Sequence, residues 1–276
     1  MPTGTPPDWA GWEVAVPRRR HRLPGVTMAG FRQRVPAFVD ITMVPHPSVT
    51  LFVDLGSGLG TIRQAGGRRV RRSFVAGLLP GVLQAAGSGA ECLQIRLAPV
   101  VARAVLGASA ELTGSVVPLA DIWGRDAERA EDRLRSAASW DERFAVAAGL
   151  IGRRLATRPP VDPEVAHSWR RMAAGHGRVR VESLAGEVGW SRKRLWSRCR
   201  SQLGITPKRA AELVRFDHAA HLLAAGHPAA SVAAASGYVD QSHLHREARA
   251  FAGLTPTAVA AAPWLSIDDV AWPVRG

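Results

Sequence analysis

Cysteine is scarce: Cys92 and Cys199 are the only two in 276 residues. That excludes a disulfide framework and a four-thiolate zinc site, and it suits a reducing compartment. Lysine is equally scarce. Lys193 and Lys208 stand alone, so the +13 net charge, from 36 basic against 23 acidic residues, is almost entirely guanidinium. No unbroken apolar stretch approaches the ~20 residues of a membrane span. The longest, Ala145 to Gly152, stops at Arg153-Arg154. The N-terminus has no apolar signal core, and its first basic cluster (Arg18, Arg19, Arg20, Arg22) comes too late for a secretion signal. The expectation is a cytoplasmic, nucleoid-associated protein with no membrane contact. An apolar fraction of 46% suffices for packed cores, and the cationic excess seeks a polyanion, nucleic acid first.

The chain divides at Thr157-Arg-Pro-Pro-Val-Asp-Pro163, where closely spaced prolines forbid a helix or central strand. Residues 10 to 97 read as a compact β region of short runs, among them Ser48–Val53, Ser73–Ala76 and Cys92–Leu97. In the last, Leu93, Ile95 and Leu97 alternate with Gln94 and Arg96, the period of a half-buried strand. The period then becomes helical over Pro99–Leu106, Asp126–Ala138 and Asp141–Leu155, the last with Phe144, Ala148, Ile151 and Leu155 on one face. Beyond Asp162 the helix candidates are 164–174, 182–188, 192–203, 207–225, 229–236 and 241–252. The fold class is α+β. A β-rich module with closing helices spans residues 1–157 and a Pro-rich linker 158–163. An all-α region follows over 164–262, then a tail over 263–276.

A repeat lies inside the helical part. Leu184-Ala-Gly-Glu-Val-Gly-Trp190 aligns with Val232-Ala-Ala-Ala-Ser-Gly-Tyr238, and Leu203-Gly-Ile-Thr-Pro207 with Ala252-Gly-Leu-Thr-Pro256. Each copy has helix-turn-helix spacing. Ala185 and Ala233 sit where two helices cross closely. Gly189 and Gly237 serve a turn that needs positive φ, and Leu195 and Leu244 plug the second helix into the core. Ser191 and Asp240 are the expected N-caps. From Gly189 to Arg209 there are seven cations and no carboxylate. On helix 192–203 the stripe Leu195, Cys199, Leu203 faces inward, leaving Arg194, Ser197, Arg198 and Ser201 outside beside Lys193. A solvated helix normally mixes both signs; an N-capped helix with a purely cationic face suits a major groove. The second copy reads as less basic, with Arg246 and Arg249 but also Glu247.

These stretches, with Asp240-Gln-Ser-His-Leu244 and Gly253-Leu-Thr-Pro-Thr257, resemble the AraC/XylS-type DNA-binding domain over about residues 163–262. The resemblance implies two helix-turn-helix units joined by a linker helix, here Lys208 to Ala225. It places Arg192, Lys193, Arg194, Trp196, Ser197 and Arg198 at the groove in the first unit. In the second it places Gln241, Ser242, His243 and Arg246 there. The N-terminal part resembles the β-rich domain of an uncharacterised branch of such regulators, through Phe74–Leu78, Cys92–Pro99, Val117–Asp121 and the helices from Arg133 to Leu155. That likeness implies a sensing or dimerising module. Double-stranded DNA is the implied partner of a sequence-specific transcriptional regulator. RNA polymerase, a small-molecule effector and a second copy of the chain are further candidates. A non-specific nucleic-acid or protein-interaction platform stays open beside it.

Enzyme readings find no support. Gly56-Ser-Gly-Leu-Gly60 lacks the Lys-Ser/Thr of a phosphate loop, and there is no Gly-x-Ser-x-Gly elbow. His21 and His46 are isolated, so no catalytic residue, metal site or cofactor is expected. Trp9, Trp12, Trp123, Trp140 and Trp169 read as core or cap residues, although a barrel lined by Trp12, Phe31, Phe38 and Phe52 would suit an apolar effector. The run Arg68-Arg69-Val-Arg71-Arg72 reads as a solvated loop, and Cys199 as a small buried hydrophobe.

Overall fold

The computed structural model of the chain describes residues 9–18, 23–56, 61–64, 69–79, 81–107 and 109–272. Arg19, Arg20, His21, Arg22, the glycine loop at 57–60 and the 66–68 stretch lie outside the described residues. The strands are β1 Trp12–Ala15, β2 Val26–Gln33, β3 Val39–Met43, β4 Val49–Asp54, β5 Thr61–Gln64, β6 Arg69–Val70, β7 Phe74–Ala76, β8 Leu83–Gly87, β9 Glu91–Leu97 and β10 Val116–Pro118. They form two antiparallel sheets, ordered β1-β2-β9-β4-β7-β10 and β3-β8-β5-β6.

The helices are α1 Pro99–Leu106, α2 Leu119–Trp123, α3 Arg125–Ser136, α4 Trp140–Thr157, α5 Pro163–Ala174 and α6 Val181–Glu187. They continue as α7 Arg192–Leu203, α8 Pro207–Ala224, α9 Ala229–Ala235, α10 Gln241–Ala252, α11 Pro256–Ala260 and α12 Pro263–Ala271. A β-rich N-terminal part followed by a helical C-terminal part is the observed class.

The larger sheet is buried on both faces. Leu51, Val53, Leu93, Ile95 and Leu97 pack with Val105, Phe144 and Ile151 of the closing helices. Phe31, Phe52, Phe74 and Cys92, on the other face, meet Ile41, Met43, Ile62 and Leu83 of the smaller sheet. Alternation in β9 predicts a polar solvent face, yet Gln94 is buried and only 10% of the Arg96 side chain is exposed. The reason is position. β9 is central, between β2 and β4, and the second sheet and α12 cover the face that alternation assigns to water. On α4 the buried apolar set is Phe144, Ala147 and Ile151, beside buried Arg143, with Ala148 and Leu155 only partly covered.

Three further expectations change. Phe38 is 76% exposed and lines no interior. Arg69 belongs to edge strand β6, paired with Arg63 of β5, so the arginine run is partly sheet. Residues 263–271 form α12, where a tail is expected. Pro263 opens this helix, and Trp264, Ile267 and Ala271 fall on one face and enter the core between the sheets. The Trp9 indole N–H donates to the Pro263 carbonyl at 2.9 Å, so the first described residues and α12 meet at the sandwich.

A buried polar seam holds α12 in place. Arg96 of β9 donates to both Asp268 carboxylate oxygens, at 2.8 and 3.3 Å, and lies 4.1 Å over the Trp272 ring. His221 of α8 meets Asp268 at 3.1 Å through Nε2, and its Nδ1 lies 2.8 Å from the Asp217 carbonyl. The hydrogen bond to Asp268 carries the His221 pKa up to about 9. Burial acts to raise Asp268, but Arg96 and His221 hold it at about 2. His46, bonded to Ser48 and Thr50, is pushed down to about 3 by burial and then by Arg96.

Candidate nucleic-acid interface

Both helix-turn-helix units are built from the repeat in the same way. The first is α6, a turn and α7; the second is α9, a turn and α10; α8 joins them. Ala185 and Ala233 are buried at the crossings, and Leu195 and Leu244 are wholly buried in the same core. Gly189 and Gly237 take φ of 66° and 77°, the left-handed region that a side chain disfavours. Ser191 caps α7 by accepting from Arg194 N–H at 3.2 Å, and Asp240 caps α10 by accepting from His243 N–H at 2.7 Å. Each recognition helix ends in a left-handed glycine, Gly204 or Gly253, and a capping threonine then starts the next helix.

The stripe Leu195, Cys199, Leu203 turns inward, and burial pushes the Cys199 thiol up to about 12, so it packs as a hydrophobe. Arg192, Lys193, Arg194, Trp196, Ser197 and Arg198 are all exposed on α7. They are not equally free. Arg192 meets Glu182 of α6 at 2.9 Å, and Arg198 meets Asp162 at the start of α5 at 3.2 Å. The face that lacks carboxylates in sequence is therefore partly neutralised in space, by residues outside the 189–209 window. Arg194 lies 4.4 Å over the Trp190 ring, and Arg200 sits 5.7 Å from Trp196, which is 49% exposed.

On α10, Gln241, Ser242 and Arg246 are exposed, while His243 is half-buried with its ring edge-on to Tyr238 at 5.2 Å. Glu247 does not dilute the cationic face as its sequence position suggests. It is buried, receives Arg215 of α8 at 2.5 and 3.3 Å, and accepts the Tyr238 hydroxyl at 2.6 Å. Burial and Glu247 raise the Tyr238 pKa, so the hydroxyl stays a donor. With Glu247 withdrawn, the outer face of α10 shows Arg246 and Arg249 with His245. Arg200, His245 and Arg249 lie outside the expected contact set. Their signal was one helical turn from Trp196, Gln241 and Arg246.

A contact absent from sequence reasoning is common to both units. The aromatic after the turn glycine, Trp190 or Tyr238, carries the third residue of the recognition helix, Arg194 or His243, against its ring. The first unit is also seated on the N-terminal half. The end of α7 packs against α1 and the 3₁₀ turn Ser109–Leu112. A side chain at Gly204 would collide with the Ala110 carbonyl and Thr113. Asp162 N–H donates to Gln202 at 2.8 Å, tying the Pro-rich segment to the same helix.

Among the described residues no group of three or more His, Cys, Asp or Glu could hold a metal, and no helix is long and apolar enough to cross a membrane. The sandwich interior keeps an apolar cavity of about 40 Å³ between Phe31, Ile41, Phe52, Ile62 and Trp264.

The profile of a helix-turn-helix domain family matches residues 184–262. No curated protein matches the sequence. Among solved structures the chain is similar to ToxT from Vibrio cholerae O395, at 10% identity over 87% of this chain and 98% of that one, with TM-score 0.47. It is similar to unsaturated fatty acid bound wild-type ToxT from Vibrio cholerae strain SCE256 (9% identity, 88% and 98% covered, TM-score 0.45). A further likeness is to the AraC-like transcriptional activator CuxR (14% identity, 71% and 83% covered, TM-score 0.27).

Proposed function

We propose, from the premise that residues 184–262 are a helix-turn-helix domain of the AraC type, that this DNA-binding transcriptional regulator is sequence-specific. Its helices α7 and α10 read two major-groove segments about one helical turn, roughly 10 bp, apart. One observation carries the reading. Both recognition helices are N-capped, and both present exposed guanidinium groups while their one carboxylate, Glu247, is turned inward. Arg194, Ser197, Lys193, Gln241, Ser242 and Arg246 are the groups we assign to bases and phosphates. Arg198 and Arg192 reach phosphate once their exposed ion pairs exchange partners. His243, held against Tyr238, supports the helix more than it reads DNA.

The N-terminal sandwich is the module for effector sensing or for pairing with a second copy. Its cavity of about 40 Å³ holds little more than a water or two. An effector entering there would have to displace Trp264, and with it α12. The test is selection of bound duplexes from a random pool by the full chain at near-physiological salt. Enrichment of a bipartite site with centres about one turn apart is expected. Retention that follows salt alone, with no enriched sequence, would leave a non-specific platform instead.

A further inference from the structure

Helices α3 and α4 form a hairpin, and between the start of α3 and the end of α4 lies a groove of about 420 Å³. Its walls carry Arg129 and Arg133 from α3, Arg153 and Arg154 from α4 and Arg158 just past its end, against one carboxylate, Asp126. Arg129 and Arg133 are one helical turn apart on α3, and Arg158 follows the end of α4 in extended backbone. Like charges at that spacing repel and destabilise a helix unless an anion lies between them. Asp126 is already shared, at 3.5 Å from Arg129 and 3.2 Å from Arg154. Among the described residues, Arg133, Arg153 and Arg158 have no carboxylate within ion-pair distance.

Arg154 is the fixed member. Its guanidinium lies 4.2 Å over the Trp123 ring, and its side chain is only 18% exposed. Burial lowers its pKa, Asp126 opposes that shift, and Arg158 lowers it further. The groove therefore gathers more positive charge than its single carboxylate balances, around one immobilised guanidinium.

We propose that this groove binds a small molecule bearing a phosphate or pyrophosphate group. Guanidinium forks match such oxyanions in bidentate geometry, which ammonium groups do not. The volume falls in the ~300–1,000 Å³ range of small-molecule sites. The site lies outside residues 184–262 and does not depend on how those residues read DNA.

Calorimetric titration of the full chain with inorganic pyrophosphate, at physiological ionic strength, should show saturable binding of one anion per chain. Combining Arg133→Ala with Arg158→Ala, both exposed, should weaken it by about tenfold or more. Arg133→Lys with Arg158→Lys should fall between, keeping charge but losing the fork. Arg69→Ala with Arg71→Ala, exposed and away from the groove, should change nothing. Equal weakening in the two alanine pairs, or binding that never saturates, would reduce the effect to general attraction by a +13 chain and overturn the site. So would an unrelated duplex that competes with pyrophosphate and itself loses affinity in the Arg133 and Arg158 double variant. That outcome would give the groove to the DNA backbone.

Discussion

The two helix-turn-helix units share a backbone and part over one charge. Aligned on Leu195 and Leu244, Arg198 of the first unit occupies the place of Glu247 in the second. Arg198 points outward and meets Asp162 with nearly half its side chain in solvent. Glu247 points inward, and Arg215 and Tyr238 close on it. One position in one repeat thus serves the surface in one copy and the core in the other. What the repeat dictates is turn geometry and apolar packing; the charged partners come from α5 and α8, which the repeat does not contain.

The sharpest way to break the comparison is to truncate each of these residues. Glu247→Ala leaves Arg215 charged in a nearly closed space and the Tyr238 hydroxyl without its acceptor, which should cost about 3–5 kcal/mol of unfolding free energy. Arg198→Ala removes an exposed pair and should cost about 1 kcal/mol or less. Urea denaturation followed by circular dichroism reads both. Similar losses would mean that the inward and outward placements do not differ in energy.

That contrast marks how much was legible beforehand. The glycines, caps, crossing alanines and core leucines of both units lie in short contiguous motifs, so their positions follow from local rules. The inward turn of Glu247 depends on Arg215, 32 residues away, and Asp162 neutralises Arg198 across a similar distance. Local patterning carries no information about such pairs. The burial of Gln94 and the near-complete covering of the Arg96 side chain are hidden for a related reason: the pattern along β9 is that of a half-exposed strand, and only sheet order shows it to be central. Helix α12 lies where the sequence reading places a tail, and its docking into the sandwich rests on partners far along the chain.

The next comparison sets Arg194 against His243, which hold the same place against Trp190 and Tyr238. Arg194 is exposed, whereas His243 is half-buried. On a selected site, Arg194→Ala should weaken binding by about 1–3 kcal/mol and reduce the log–log salt slope by about 0.9. His243→Ala should leave the slope unchanged. Fluorescence anisotropy across a salt series distinguishes the two, and an equal slope change would give both residues phosphate contacts.

Somewhat smaller effects should come from the turn glycines. Gly189→Ala and Gly237→Ala each force a side chain into left-handed backbone, at about 1–2 kcal/mol. Beyond Gly189 the space is open, but a methyl at Gly237 meets the Arg178 side chain at 3.0 Å. The second substitution should therefore lower the melting temperature more. The reverse order would mean that the first turn is the more constrained.

The smallest effect is a difference in pH response between the flanks of the two units. Beside the first unit, Arg171 and then His167 hold Glu187 down to about 2, so that contact is lost only in strong acid. Beside the second, His221 has a folded pKa near 9 against about 6.5 unfolded. A raised folded value means that protonated His221 stabilises the native state fully below about pH 6.5 and stops doing so as pH passes 9. Of the other groups facing it, Asp268 and His46 titrate well below that window and Asp217 at its lower edge. Asp268 is held at about 2, His46 is pushed down to about 3, Asp217 is pushed up by burial to about 6, and Arg96 is paired with Asp268. Solvent reaches about a third of the His221 side chain, which leaves about 1 kcal/mol for the contribution. Wild type should lose that much between pH 6.5 and 9, whereas His221→Gln should be flatter over the same range. Equal slopes in denaturant titrations of the two proteins would remove His221 from the seam's pH response and leave α12 held by Arg96 and packing alone.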